Sequence, residues 1–256
     1  MRSILVLSVL LGTTIGAQTA EASPWTREPG PLFTVSKVGY HAAEDEGAAR
    51  RFEQVTSETY LELGLTDRVM AGGKLTYAWQ GTEDPFVPRD RLSGLAEAEA
   101  FVQAEAGRWD GGVVSVMATY GAPSETSSLF LDERSFERDA SAGLYGLVGL
   151  NVGPGFVSVR SGPQISLGRD ANLWRTDVTL GRTFENGALL LLDAYDTTSM
   201  GGADPLGLDY EVTRLAPSLV LPVRGRIKIQ LGATWDARGE GVDAGAGGFL
   251  ALWVGE

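Results

Sequence analysis

Polar and apolar residues alternate without interruption along the segment RIKIQLGATWD, residues 226–236. Successive side chains of a β-strand point to opposite faces, so this segment is predicted to be a strand with one apolar and one polar face. Its eleven residues match the roughly 9 to 11 tilted residues with which a β-strand crosses a bilayer, about twice the length of an ordinary globular strand. The apolar face comprises Ile227, Ile229, Leu231, Ala233 and Trp235. The pattern therefore predicts a transmembrane strand.

Strand-like patterns of varying purity recur along the rest of the chain. We place twelve of them at residues 32–40, 52–65, 69–80, 94–106, 112–121, 138–152, 155–168, 173–184, 188–198, 210–223, 225–238 and 244–254. A closed barrel pairs every strand edge, as a membrane requires. The predicted fold is therefore all-β, an antiparallel up-and-down transmembrane β-barrel of about twelve strands.

The connections between these segments alternate in length. Short ones fall at residues 66–68, 107–111, 153–154 and 185–187, and long ones at 41–51, 81–93, 121–137 and 199–209, with a last, shorter loop at 239–243. Bacterial outer-membrane barrels have this rhythm of short periplasmic turns and long extracellular loops, whereas a soluble sandwich has no reason for it.

The segment 94–106 is rich in alanine and glutamate, which also favour a helix. Its strict alternation, and its position between two other strand patterns, favour the strand.

The first residues of the chain predict a cleaved secretory signal. Arg2 gives a positive start, residues 3–16 are uncharged and mostly apolar, and Ala20-Glu21-Ala22 is a small-x-small cleavage site. The alternative, a membrane anchor, needs about 20 apolar residues and a stop-transfer flank. We therefore divide the chain into a removed signal, residues 1–22, and an outer-membrane barrel, residues 23–256, of a Gram-negative bacterium.

Composition excludes several classes of function. The chain has no cysteine, which rules out disulfides, thiolate metal sites and cysteine nucleophiles. Its net charge of -12 argues against nucleic-acid binding, which needs a basic surface. The sole histidine, His41, is predicted to be a solvated loop residue, because no motif surrounds the nearest candidate serines, Ser36 and Ser57. We expect no enzyme activity, no catalytic residue, no metal site and no cofactor.

Five tryptophans are predicted to form the aromatic girdles of the barrel. Trp79, Trp174 and Trp235 fall near outer strand ends, and Trp109 and Trp253 near inner ends. The alternative is that they are ordinary core tryptophans.

Charged residues are distributed unevenly on the predicted lumen face. The acidic ones, from the second and fourth strands, are Glu58, Glu62, Glu97, Glu99 and Glu105, and the basic ones, from later strands, are Arg160, Arg175, Arg214, Arg226 and Lys228. These two sets are predicted to occupy opposite arcs of the ring. Either they line a water-filled path with a transverse field, or they pair across a narrow barrel and plug it. A barrel of about twelve strands lies between the filled and the open sizes.

Three motifs resemble uncharacterised outer-membrane barrels of proteobacteria, the XagA-like family. They are Trp25 with Pro29-Gly30 before the first strand, YLELGLTDR at residues 60–68, and ALW at 251–253. The resemblance implies an outer-membrane location and an association with exopolysaccharide production. The chain departs from the pattern by continuing past Trp253 to Glu256, whereas such barrels end on an aromatic residue.

The sequence therefore predicts a porin-like channel for passive diffusion of small polar or saccharide-like solutes. The alternative is a non-transporting barrel, either structural or adhesive or an accessory to exopolysaccharide export. In both cases the expected partners are outer-membrane lipid, lipopolysaccharide and the barrel-assembly machinery.

Overall fold

The computed structural model describes residues 23–45, 50–84, 87–128, 136–168, 170–202, 211–240 and 244–255. The predicted signal segment, residues 1–22, lies outside the described residues. The strands are β1 Leu32–Asp45, β2 Arg50–Thr66, β3 Val69–Asp84, β4 Val87–Trp109, β5 Gly112–Ala122, β6 Ser124–Ser128, β7 Phe136–Arg138, β8 Ser141–Val152, β9 Gly155–Ser166, β10 Ala171–Thr183, β11 Leu189–Gly202, β12 Glu211–Arg224, β13 Ile227–Glu240 and β14 Gly245–Val254.

Twelve of these strands close into a barrel. They run antiparallel in the order β1 to β5 and then β8 to β14, and β14 pairs with β1 from Thr34 to Ala43 to complete the ring. The short strands β6 and β7 form an extension on β4 outside the ring. The predicted all-β, antiparallel twelve-strand barrel is confirmed. No helix of the described ranges is long and apolar enough to cross a membrane.

The connections between strands lie at the two ends of the barrel. The short turns at residues 67–68, 110–111, 153–154 and 225–226 lie at the end where β1 begins and β14 finishes. Short turns face the periplasm in bacterial outer-membrane barrels. We call this end the inner end, and the opposite one the outer end.

Two stretches predicted to be long loops, residues 41–51 and 81–93, contain extended strand instead, the first at the ends of β1 and β2. Residues 81–93 belong largely to β3 and β4, whose register continues as Gly81↔Arg91 and Thr82↔Asp90. Backbone pairing needs no apolar alternation outside the membrane, so the polar sequence concealed these outer extensions. The alanine and glutamate segment 94–106 lies within β4 and is strand, as the alternation favoured.

Opposite faces of β13 show how the barrel wall is built. Leu231 is 52% exposed, whereas its neighbour Gln230 is only 5% exposed and points inward. Apolar side chains are exposed in the same way around the ring, on strands such as β3, β8 and β14. An apolar outer surface of this kind is suited to lipid and not to water.

The inner half of the lumen is filled by an apolar core. Its side chains come from the ends of strands near the short turns, and they include Phe33, Met70, Phe101, Met117, Leu147, Phe156, Leu189 and Trp253. The polar part of the lumen therefore lies toward the outer end.

Candidate functional site: the barrel lumen

A cavity of about 410 Å³ occupies the lumen above the apolar core. Its walls come from ten strands, and its side chains are mostly polar or charged. Among the predicted lumen residues, those that line the cavity are Glu58, Glu97, Arg160, Arg175 and Arg214.

The two glutamates of the cavity wall are paired with lysines on adjacent strands. Lys37 Nζ lies 2.9 Å from Glu58 Oε1, between β1 and β2. Lys74 Nζ lies 2.9 Å from Glu97 Oε2, between β3 and β4. Both carboxylates are therefore neutralised locally and do not form an unopposed acidic arc.

Two of the three cavity arginines are paired in the same way. Arg160 Nε donates to Asp177 Oδ2 at 2.6 Å. Arg214 donates from Nε and Nη2 to the two carboxylate oxygens of Asp236, at 2.7 and 3.2 Å. Because partners sit on neighbouring strands, the structure does not separate the charges into the two opposite arcs expected from sequence.

The third cavity arginine, Arg175, has no such partner. Its Nε is buried without an acceptor, and within the described ranges no carboxylate forms an ion pair with it. Its cross-strand neighbours in register are Gly162 and Thr197, which are uncharged.

Glu99 and Glu105 lie on the predicted lumen face but outside the cavity wall. Glu99 is half-buried, and no hydrogen bond or ion pair joins it to any described residue. Glu105 lies near the inner end and accepts hydrogen bonds from Arg108 Nε at 3.0 Å and Nη2 at 2.5 Å.

The last two predicted lumen cations lie at the inner end. Lys228 is half-buried and has the inward orientation of Gln230. Arg226 is exposed in the turn between β12 and β13, before the first residue of β13. Arg226 has the same parity as Lys228 in the alternation, but it belongs to the turn at residues 225–226 and not to the strand.

His41 occupies the cavity wall, which corrects its prediction as a solvated loop residue. Its Nε2 lies 3.3 Å from Asp236 Oδ2, the carboxylate that also binds Arg214. The side chain is half-buried because β1 continues to Asp45 and pairs fully with β2.

The segment that precedes β1, residues 23–31, enters the inner end of the lumen. We call it the luminal segment. Wall side chains hold its backbone: Gln103 Nε2 donates to the carbonyl oxygens of Ser23 and Pro24 at 2.9 and 3.2 Å. Ser115 Oγ donates to the Pro24 carbonyl at 2.6 Å.

Aromatic and ionic contacts add to this anchoring. The ring of Trp25 packs edge-to-face against Phe156, with centroids 5.9 Å apart. The Arg27 guanidinium lies over the Phe33 ring, 3.6 Å from its centroid, and forms an ion pair with Glu62. Glu62 was predicted to line the lumen, and it does so at the luminal segment and not at the cavity.

Two wall glycines leave space for the luminal segment. A Cβ atom at Gly149 would lie 2.5 Å from Pro24 and 2.6 Å from Trp25. A Cβ atom at Gly64 would lie 2.3 Å from the carbonyl oxygen of Glu28. Larger residues at these positions would collide with the segment.

Four of the five predicted girdle tryptophans are exposed on the outer surface. Trp79, Trp109, Trp174 and Trp235 have exposures of 48%, 50%, 43% and 40%. Trp253 does not belong to a girdle, because it is 2% exposed and points into the lumen. Its Nε1 donates to Gln230 Oε1 at 2.9 Å, and its ring meets Phe33 edge-on. Its inward position follows from the alternation of β14, in which Leu250 and Leu252 face outward.

Sequence reasoning missed the partners of the charges and the luminal segment. Lys37, Lys74, Asp177 and Asp236 were available from strand alternation, but the cross-strand register that pairs them was not. For the luminal segment, the combination of prolines and an aromatic residue just before the first strand was the available signal.

Several solved outer-membrane proteins have a similar barrel. The COG4313 outer membrane channel from Pseudomonas putida F1 matches with a TM-score of 0.72 at 10% identity, over 93% of this chain and 100% of that chain. The translocator domain of the autotransporter NalP from Neisseria meningitidis matches with a TM-score of 0.57 at 15% identity, over 89% of each chain. The beta domain of the Bordetella autotransporter BrkA gives a TM-score of 0.55 at 11% identity, over 90% of this chain and 100% of that chain.

No protein-family model matches the sequence, and no curated protein matches it. The structural similarity shows a shared fold, that of a bacterial outer-membrane β-barrel.

Proposed function

We propose that this outer-membrane barrel is a narrow channel for small polar solutes, and that the luminal segment must leave the inner end before solute can pass. The observation that carries the proposal is a polar cavity that ends on a separate piece of chain. The obstruction at the inner end includes a backbone segment, and that segment is not part of the barrel wall.

The cavity wall is suited to a water-filled path. Four of its cations, Lys37, Lys74, Arg160 and Arg214, are each matched with a carboxylate on an adjacent strand, which limits repulsion between like charges in the lumen. The uncharged polar groups between them include Gln54, Thr56 and Thr234, which can exchange hydrogen bonds with water or with solute hydroxyls.

The luminal segment can move without breaking the barrel. Its polar contacts are a few hydrogen bonds and the Arg27–Glu62 pair, whereas the ring is closed by strand pairing from β1 to β14. Within the described ranges its covalent connection to the barrel is the start of β1, and one isolated bridge pairs Pro29 with Gly64 of β2. Withdrawal would thus leave the strand ladder intact.

The similarity to a solved channel supports the same proposal. The Pseudomonas putida protein is described as an outer membrane channel, and the present barrel covers all of its length. The translocator domains have similar barrels, so the fold by itself serves more than one role.

A non-transporting barrel is the second candidate, favoured by the apolar core of the inner half. In that case the protein would be structural or adhesive, or an accessory to exopolysaccharide export. The side chains of the apolar core, such as Met70, Phe101 and Leu147, would then block the lumen even without the luminal segment.

Planar-bilayer recording of the purified protein and of a variant lacking residues 23–30 separates the two candidates. A channel predicts intermittent current from the intact protein and sustained current from the truncated one. If both proteins are folded, as judged by heat-dependent gel migration, and both are silent, the non-transporting candidate is correct.

A further inference from the structure

Arg175 stands apart among the cations of the cavity. Lys37, Lys74, Arg160 and Arg214 each form an ion pair with a carboxylate on an adjacent strand. Arg175 lines the same cavity without any such pair to a described residue, and its Nε is buried without an acceptor.

The strand register explains why Arg175 lacks a partner. On one side it faces Gly162, where a Cβ atom would lie 2.1 Å from the Leu144 carbonyl oxygen, so no acidic side chain fits there. On the other side it faces Thr197. The nearby carboxylate of Asp177 is bound to Arg160, and that of Asp193 accepts a hydrogen bond from Thr179 Oγ1 at 2.5 Å.

A half-buried cation without an ion-pair partner has lost part of its hydration, and an anion from solution that binds to it compensates for that loss. The guanidinium offers five N–H donors in a planar fork, which matches the two oxygens of a carboxylate. The carboxylates of Asp177 and Asp193 line the same cavity and disfavour ligands of high negative charge. A single carboxylate therefore suits the position better than a phosphate dianion.

The rest of the wall indicates the body of the ligand. Gln54, Thr56, Tyr195 and Thr197 present amide and hydroxyl groups to the cavity. Its volume of about 410 Å³ lies within the range of sites for small molecules. Hydroxyl groups on a ligand would find both donors and acceptors on this wall.

We propose that the cavity contains a binding site for a hydroxylated monocarboxylate, a sugar acid, with its carboxylate on Arg175. This inference rests on the proposed function and deepens it, because it names the class of solute. Binding at equilibrium does not require conduction, so the two proposals can fail separately.

Isothermal titration calorimetry of the whole purified barrel in detergent tests the site, with gluconate as the probe and glucose as its neutral counterpart. Gluconate should bind at least about tenfold more tightly than glucose, the difference expected for a charge-assisted pair of hydrogen bonds. Arg175→Gln should weaken gluconate binding by about tenfold or more, with little effect on glucose. Arg175→Lys keeps the charge but loses the planar fork of guanidinium donors, and should weaken gluconate binding by a smaller factor.

Arg182→Gln is the matched control, since Arg182 lies on the same strand but is exposed outside the lumen. It removes the same charge and should leave gluconate binding unchanged. If Arg175→Gln does not fold, Arg175→Lys carries the test.

Four results would overturn the inference. They are no gluconate binding to the folded protein, equal binding of glucose, unchanged gluconate affinity in both Arg175 variants, and tighter binding of inorganic phosphate than of gluconate. Gluconate binding to a barrel that conducts no current would contradict the proposed channel function but not the proposed binding site.

Discussion

Arg27 and Glu62 form an ion pair inside the barrel, although they lie 35 positions apart in the chain. Their side chains are only 4% and 1% exposed. Tyr60 also donates its hydroxyl to Glu62 Oε1 at 2.5 Å. The pair connects the luminal segment to β2, so it links the inner closure directly to the wall.

Replacing Glu62 by glutamine should release the luminal segment. Removal of one partner from a buried ion pair typically destabilises the paired arrangement by about 3 to 5 kcal/mol. We expect this loss to appear as cleavage of the segment by added protease and as a higher open probability in bilayers, with the barrel still folded. Glu58→Gln is the control, because it removes the same charge from the same face of β2 and its partner Lys37 lies outside the segment. Equal protease sensitivity in the two variants would contradict this role of the pair.

The orientation of β13 can be tested by two arginine substitutions. Leu231→Arg places a charge in lipid and should lower the free energy of unfolding by about 2 to 4 kcal/mol. Thr234→Arg places it in the cavity and should cost less than about 1 kcal/mol, because water reaches the lumen. Denaturant titration of refolded barrels in lipid vesicles measures both. A larger loss for Thr234→Arg would show that the two faces have been exchanged.

The position of Trp253 predicts a difference in quenching by brominated lipids. Because its ring is enclosed by Phe33 and Gln230 in the lumen, Trp253→Phe should remove fluorescence that brominated lipids do not quench. Trp235→Phe should remove fluorescence that they quench strongly, because Trp235 lies on the outer surface. If the two substitutions reduced the quenched fraction equally, Trp253 would be in contact with lipid.

The sequence was sufficient to predict the barrel because alternation is a local property. Each strand, such as Ile227–Glu240, carries its own apolar face and needs no knowledge of its neighbours. Lumen contacts depend on register between strands, which alternation leaves open. The pairing of Lys74 with Glu97, and the absence of a partner for Arg175, both follow from such register.

Two other errors have different physical origins. Trp253 was assigned to a girdle from its place near a strand end, although its parity in β14 turns it inward. His41 was assigned to a loop because alternation weakens beyond the membrane, where β1 and β2 continue to pair. The luminal segment has no periodic pattern at all, so only tertiary packing reveals its place.

Removing a positive or a negative charge from the cavity wall should shift the ion selectivity in opposite directions. Arg175→Gln removes an unpaired cation and should shift the selectivity of the truncated channel toward cations. Glu97→Gln removes the negative charge that pairs with Lys74 and should shift selectivity toward anions. Reversal potentials in a salt gradient measure both shifts. Selectivity unchanged by either substitution, in a protein that conducts, would show that ions follow a path away from this wall.

If solute passes only when the luminal segment leaves the lumen, a reversible crosslink between the segment and the wall should switch the current off and on. The chain has no cysteine, and Thr26 Oγ1 donates to the carbonyl oxygen of Asp67 at 3.0 Å, so Thr26→Cys with Asp67→Cys places one thiol pair between the segment and the wall. Single-channel recording of this protein should show no current after oxidation and intermittent current after reduction, in the same bilayer. Equal current in the oxidised and reduced states, with the crosslink verified by mass spectrometry, would show that solute passes while the luminal segment stays in the lumen.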